Sequence, residues 1–167
     1  MKPSLKRALR LVILLVVFLA LALAIRVYVF RVVRVEGTSM ATTLNSGDFA
    51  AVTCLDYRLG EPQRGDVVQC RFPSRDGTYL KRLIGLPRET VEIIDSRIYI
   101  DGVPLSEPYA TGPSEDYRAE LGDDEYLVLG DNRPESYDSR AEDIGTLQRK
   151  DILGRVRFAF WPFRMIE

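Results

Sequence analysis

"TYLKRLIGLPRETVEIIDSRIYIDG", residues 78–102, decides the fold class. β-Branched, aromatic and other apolar residues come in short bursts at 78–85, 90–94 and 97–101, with Gly, Pro and Asp between them. Such bursts read as strands, because branched side chains pack well on a pleated surface and lose rotamer freedom on a helix. "TVEIIDSRIYIDG" predicts a hairpin turning near Asp95–Arg97. In the first burst, period-two alternation puts Tyr79, Lys81 and Leu83 on one face and Leu80, Arg82 and Ile84 on the other. Lys81 thus sits in an unusually apolar strand.

The same signature recurs at 31–36, 48–56, 66–72, 125–129 and 154–161. In "GRVRFAFWP" the residues Val156, Phe158 and Phe160 alternate with Arg155, Arg157 and Ala159, which predicts a half-buried strand with the first set inward. Pro162 is expected to end that strand. Residues 106–124, rich in Pro, Gly, Ser and acids, read as a long mobile loop. Helix signals are weak outside 11–30, and no internal repeat is present. The chain of 167 residues can bury one real core. The fold class is mainly β: an antiparallel domain folded as a barrel or as paired sheets.

Ahead of the strands, "LVILLVVFLALALAIRVYVF", residues 11–30, is apolar apart from Arg26. Twenty residues at helical rise span about 30 Å, the thickness of a bilayer core. A stop at Ile25 leaves about 22 Å, which is short, so Arg26 is placed at the far interface with its stem snorkelling. Lys2, Lys6, Arg7 and Arg10 precede the run and favour a cytoplasmic N-terminus; Arg31 and Arg34 weaken that bias without reversing it. The expected organisation is a basic cytoplasmic tail at 1–10, a transmembrane helix at 11–30 and an extracytoplasmic domain at 31–167. A cleaved secretory signal peptide is the competing reading, with "ALA" at 22–24 as its cleavage site. Against it, the apolar run continues past that point and exceeds a usual signal core.

Beyond the first ten residues the chain carries 19 basic and 24 acidic residues, a net of −5. An acidic body does not suit nucleic acid. Cys54 and Cys70 form no "CxxC" pair and the chain has no histidine, so neither a zinc site nor another metal or cofactor is expected. The two cysteines read either as buried free thiols or as a disulfide, which an extracytoplasmic site permits.

The missing histidine frames the chemistry. In "EGTSMATTL", residues 36–44, Ser39 stands a few residues past the apolar run, and as a nucleophile it would need a base. The Ser-His-Asp triad is excluded, but Ser-Lys variants exist. A free lysine, with pKa near about 10.4, is almost wholly charged at neutral pH. Lowering that pKa by about 3 units takes roughly 4 kcal/mol of differential stabilisation, which burial in an apolar wall supplies. Of the four lysines, Lys2 and Lys6 precede the span, and Lys150 lies in the polar "LQRKDILG". Lys81 remains, although a strand lysine taken alone is more often a snorkelling surface residue. A third stretch, "LVLGDNRPESYDSR" at 127–140, is a strand followed by a loop dense in residues that fix irregular backbone.

Taken together, these stretches resemble the bacterial type I signal peptidases, membrane-anchored serine proteases with a Ser-Lys dyad. "SMATTL" at 39–44 resembles the family's "SMxPTL" box, "RGDVVQC" at 64–70 its "RGDIVVF" strand, "YLKRLIGLPRETV" at 79–91 its lysine box, usually "KRxIGLPGD", and "GDNRPESYDSR" at 130–140 its "GDNRxxSxDSR" box. The boxes are collinear, and without a large inserted second domain the chain is similar to the shorter members. The resemblance implies cleavage of signal peptides from exported preproteins at the outer membrane surface. It implies Ser39 as nucleophile, Lys81 as general base and Ser136 as the hydroxyl that orients Lys81. Arg82, Asp131, Asp138 and Arg140 are implied as ion-paired supports of the catalytic loop, and Met40 as packing beside the site. It further implies a preference for small residues one and three positions before the cut bond. The backbone N–H of Ser39 is the expected oxyanion donor; Gly37 stands where some members place an additional hydroxyl. Thr42 replaces the usual proline and Arg88 the usual glycine. Two rivals stand beside this reading: a non-catalytic anchored β module that binds exported polypeptides, and a self-cleaving repressor-like peptidase, disfavoured by the apolar span and the lack of a DNA-binding segment.

Overall fold

The structure, a computed structural model, describes residues 3–28, 30–161 and 163–166. In chain order it runs through helix α1 (Pro3–Tyr28), β1 (Phe30–Arg34), β2 (Phe49–Thr53), the single turn α2 (Asp56–Leu59), β3 (Val67–Cys70), β4 (Tyr79–Gly85), β5 (Thr90–Ile94), β6 (Arg97–Ile100), β7 (Val103–Pro104), β8 (Tyr117–Glu120), β9 (Glu125–Leu129), β10 (Leu147–Gln148), β11 (Ile152–Trp161) and β12 (Phe163–Met165). All the strand pairs are antiparallel.

The strands form two sheets. One follows the order β1-β2-β11-β3-β4-β9-β10, with β12 pairing β11, and the other β7-β6-β5-β8. The chain passes from the first to the second at the β4–β5 turn, so the opening stretch joins them. Three apolar clusters follow: one around Val68, Leu83 and Val128, one around Met40, Leu44 and Val52, and one where Ile84, Leu127 and Leu129 meet Val91, Ile93 and Ile98 of the second sheet. Gly85 marks a close approach between the sheets, since a Cβ there would lie 2.6 Å from Leu121 Cδ1 and 2.7 Å from Val91 Cγ2.

The hairpin expected near Asp95–Arg97 forms, with Ile94 opposite Arg97 and both Asp95 and Ser96 at positive φ. Two expectations are corrected. The segment 106–124 is not one long loop: Tyr117–Glu120 pairs with β5, and Thr111 bridges to Asn132. Its alternating Tyr and Ala against Arg and Glu is too polar to announce a strand, and backbone pairing decides. In β11 the register shifts between Val156 and Phe158, a bulge that reverses the alternation beyond it. Ala159 is therefore buried, while Phe160 is exposed against expectation. Pro162 and the Arg26 side chain lie outside the described residues.

Helix α1 stands apart from these clusters. Every large apolar residue from Leu11 to Leu19 is exposed, and consecutive residues sample every direction round a helix, so the apolar surface is continuous. Among the described residues no helix is long and apolar enough to cross a membrane; the side chains described on α1 run from 7 to 23.

Candidate active site

The segment after β1 is held at its base by two backbone bonds, Val35 N–H to the Asp48 carbonyl at 2.8 Å and Gly47 N–H to the Val35 carbonyl at 2.9 Å. Between these, 38–44 winds into tight turns, with Ala41 N–H on the Thr38 carbonyl at 2.9 Å and Leu44 N–H on the Met40 carbonyl at 2.7 Å. Met40 and Leu44 are buried and pin the turns to the core, leaving Ser39 half-exposed next to Met40. Asn132 grips the same turn from the other side: its N–H donates to the Ser39 carbonyl at 3.0 Å and its Nδ2 to the Thr38 carbonyl at 3.1 Å. Among the described residues, neither the Ser39 hydroxyl nor its N–H has a hydrogen-bond partner.

Lys81 lies in β4 opposite Val68 and is only 3% exposed. Its Nζ donates to Ser136 Oγ at 3.1 Å, and Ser136 Oγ donates to Asp138 Oδ2 at 2.5 Å. Asp138 is buried and paired with Arg140, Nε to Oδ1 at 2.8 Å. Burial pushes the Lys81 pKa below the ordinary lysine value, while the Asp138 carboxylate pulls it partly back. Ser39, Met40 and Lys81 line one cavity of about 440 Å³, whose apolar walls include Val33, Val35 and Leu80.

Both walls of that cavity are sheet edges. Strand β1 pairs only with β2. The first residues of β4, Tyr79–Lys81, pair with β3 on one side, while β9 takes up pairing only from Arg82 onward. Among the described strands, two edges therefore flank Ser39 and Lys81 without a partner.

Behind the cavity, Arg82 turns to the opposite face from Lys81 and meets Asp131 in a buried bidentate pair, Nε to Oδ1 at 2.9 Å and Nη2 to Oδ2 at 2.8 Å. Arg82 also donates to the Gly65 carbonyl at 2.7 Å and stacks over the Tyr109 ring at 3.8 Å. Thr43 Oγ1 donates to Asp131 Oδ2, which ties the Ser39 turn to the same carboxylate. Six of the seven residues singled out in the sequence thus fall into two adjoining networks. Lys81, Ser136, Asp138 and Arg140 form one, and Arg82 and Asp131 the other, while Ser39 lines the cavity beside Lys81.

Sequence reasoning missed Gly130 and Asn132, although both stand in the quoted "GDNR". A Cβ at Gly130 would lie 2.2 Å from Ser136 Oγ and 2.5 Å from the Ser39 carbonyl oxygen, so only glycine lets the two halves of the site close. The carboxylate contacts of Thr43 and the ring of Tyr109 were also missed, because they depend on segments far apart in the chain.

The two departures from the motifs sit at positive φ, Thr42 at 83° and Arg88 at 69°. Glycine suits the second position, and Arg88 occupies it at a cost. Proline, fixed near a φ of about −65°, cannot adopt the Thr42 conformation, so this turn takes a path of its own. The Thr42 hydroxyl donates to the Tyr109 carbonyl at 3.2 Å. Cys54 and Cys70 are buried free thiols, and burial pushes the Cys70 pKa up to about 12. Among the described residues no group of carboxylates and thiols is arranged to hold a metal.

Comparison with known proteins agrees with this architecture. Residues 8–161 match the family described as signal peptidase, peptidase S26. A Signal peptidase I of Bacillus licheniformis is 37% identical over 165 residues, covering 92% of this chain and 88% of its own. Signal peptidase I S of Bacillus subtilis strain 168 is 35% identical over 162 residues, covering 89% of this chain and 86% of its own. The crystal structure of a signal peptidase I from Enterococcus faecalis superposes with a TM-score of 0.52 at 35% identity, covering 57% of this chain and 97% of that one. With the family match spanning the helix, both edges of the cavity and the loop that carries Ser136, the chain belongs to the signal peptidases of family S26.

Proposed function

We propose that this chain is a membrane-anchored signal peptidase that cleaves signal peptides from exported preproteins, with Ser39 as nucleophile and Lys81 as general base. One observation carries the reading: Ser39 and a buried lysine with a lowered pKa line the same cavity.

The residues support the following sequence. An extended substrate enters between the free edge of β1 and the free edge at Tyr79–Lys81 and adds as a strand, presenting its scissile carbonyl to Ser39. Neutral Lys81 takes the Ser39 proton as Oγ attacks. The unpartnered Ser39 N–H donates to the developing oxyanion. The Lys81 ammonium then protonates the leaving amine, and the acyl group on Ser39 is released by water with Lys81 acting again as base. Ser136, held by Asp138, fixes Nζ throughout. In the present geometry Nζ bonds Ser136 rather than Ser39, and such catalytic contacts often tighten only with substrate bound. Val33, Val35 and Leu80 on the cavity wall support a preference for small apolar side chains next to the cut bond.

The same reading gives α1 its place. A helix with apolar residues on every side needs an apolar environment all round, and Lys6, Arg7 and Arg10 at its start favour a cytoplasmic N-terminus. The expected single-pass anchor at 11–30 is then α1 up to Tyr28, with β1 taking over at Phe30; an inner tail at 1–10 and an outer catalytic domain at 31–167 follow. Ser39 then stands within about 30 Å of chain from the span's end, at the surface where a signal peptide's cleavage site emerges. Reconstituted full-length protein tests this by cleaving a preprotein with an Ala-x-Ala site. Binding of the preprotein without turnover would favour the non-catalytic module instead.

A further inference from the structure

A second cavity, of about 270 Å³, shares no lining residue with the one that holds Ser39 and Lys81 and has no part in the chemistry above. Its rim carries Arg31, Arg58, Arg71, Arg149 and Lys150. Its floor includes the buried Cys54 and Ile152.

This concentration of cations is out of keeping with the rest of the body, which has more acidic than basic residues. Elsewhere several arginines are matched to carboxylates: Arg64 to Glu89, Arg118 to Glu92 and Glu120, Arg157 to Asp56, Arg164 to Asp48. Arg149 is likewise committed, to Glu61 and to the Tyr57 carbonyl. Arg31, Arg71 and Lys150 have no carboxylate partner among the described residues, and all three converge on this one cavity. Three like charges brought together from β1, the end of β3 and the turn before β11 repel one another unless an anion joins them. Arginine forks and a lysine ammonium fit a phosphate's oxygens, the arginines in bidentate fashion.

The position selects the source of that phosphate. Arg31 is three residues beyond Tyr28, the last residue of α1, so the cavity's first wall begins within about 10 Å of chain from the helix end. A phosphate delivered there lies at headgroup depth if α1 spans the bilayer. We infer that this basic cavity binds the phosphate of an anionic lipid headgroup in the outer leaflet and thereby holds the catalytic domain against the membrane. The inference rests on the anchored reading given above.

The test uses full-length protein in nanodiscs of phosphatidylcholine with and without phosphatidylglycerol, each lipid in turn carrying the same photoreactive headgroup. Labelling is expected to fall on the peptide containing Lys150 and to drop by about tenfold in an Arg71→Gln/Lys150→Gln variant, the loss expected for charge-assisted phosphate contacts. Arg97→Gln, which removes an exposed cation on β6, should leave it unchanged. The double variant is checked by its thermal transition, so loss of fold is distinguished from loss of the site. Equal labelling of the double variant, or equal labelling from zwitterionic and anionic headgroups, overturns the inference. Full displacement by inorganic phosphate at a concentration matched to the lipid would make this a free-anion site and also overturn it. If the anchored reading itself fails, the protein does not co-migrate with the nanodiscs at all, a result read before any labelling.

Discussion

Lys81 Nζ lies 3.1 Å from Ser136 Oγ, and this bond joins a strand of the first sheet to a loop more than fifty residues later in the chain. Ser136 also donates to Asp138, so the hydroxyl's lone pairs face the lysine and Nζ is aimed before any substrate arrives. Ser136→Ala is expected to lower kcat by about 10–100-fold, the loss of one hydrogen bond to a charged or titrating group, with KM little changed. Ser136→Thr should recover part of the rate, which a purely structural role would not require. Steady-state kinetics on a preprotein substrate decides.

The pH profile follows from the burial of Lys81. The base works only when neutral, so kcat/KM should rise with pH through an apparent pKa below the ordinary lysine value of about 10.4. Asp138 favours the ammonium, so Asp138→Asn should move that limb to lower pH whatever it does to the maximal rate. The stability consequence has a fixed sign. A lysine whose pKa is depressed by folding destabilises the fold below its folded pKa, and the penalty disappears as pH rises towards the unfolded value. Lys81→Met should therefore melt higher than the parent at pH 7, and less so at pH 10, as calorimetry at the two pH values will show.

The Arg82–Asp131 pair is structural, and its removal should read as stability. Arg82 is 2% exposed and Asp131 fully buried, so Arg82→Ala leaves a carboxylate uncompensated and should cost about 3–5 kcal/mol in denaturant titration. The double variant Arg82→Ala/Asp131→Ala should lose less than the sum of the single changes, since the two residues share one interaction.

Backbone strain gives a prediction of opposite sign at two positions. Arg88→Gly relieves a left-handed residue and forfeits only an exposed pair with Asp123, so it should stabilise by about 1 kcal/mol. Thr42→Pro, which would restore the usual motif, should instead destabilise by more than about 1 kcal/mol, because proline cannot take a φ of 83°. Gly130→Ala should abolish cleavage, since the added Cβ would lie 2.5 Å from the Ser39 carbonyl oxygen.

How much of this was legible follows the range of the interactions. The opening stretch announced β4, β5, β6 and the hairpin, because period and branching are local properties. The bulge at Val156/Phe158 was invisible, since a register shift belongs to the pairing of β11 with β2 and not to either strand alone. Strand β8 was missed for a similar reason, as Arg118 and Glu120 are held by β5 and not by their own propensity. At the site, the residue types of the proposed dyad and its loop stood out through their motifs. The clamp of Asn132 on the Thr38 and Ser39 carbonyls, and the bond from Thr42 to Tyr109, needed the fold to bring distant segments together.

The central claim is that Ser39 attacks and Lys81 takes its proton. Its most direct test is the cleavage rate of one preprotein by reconstituted parent, Ser39→Ala and Lys81→Ala proteins, each shown to be folded by its melting transition. Both variants are expected to fall to the uncatalysed background while still binding substrate. Robust cleavage by Lys81→Ala would contradict the account.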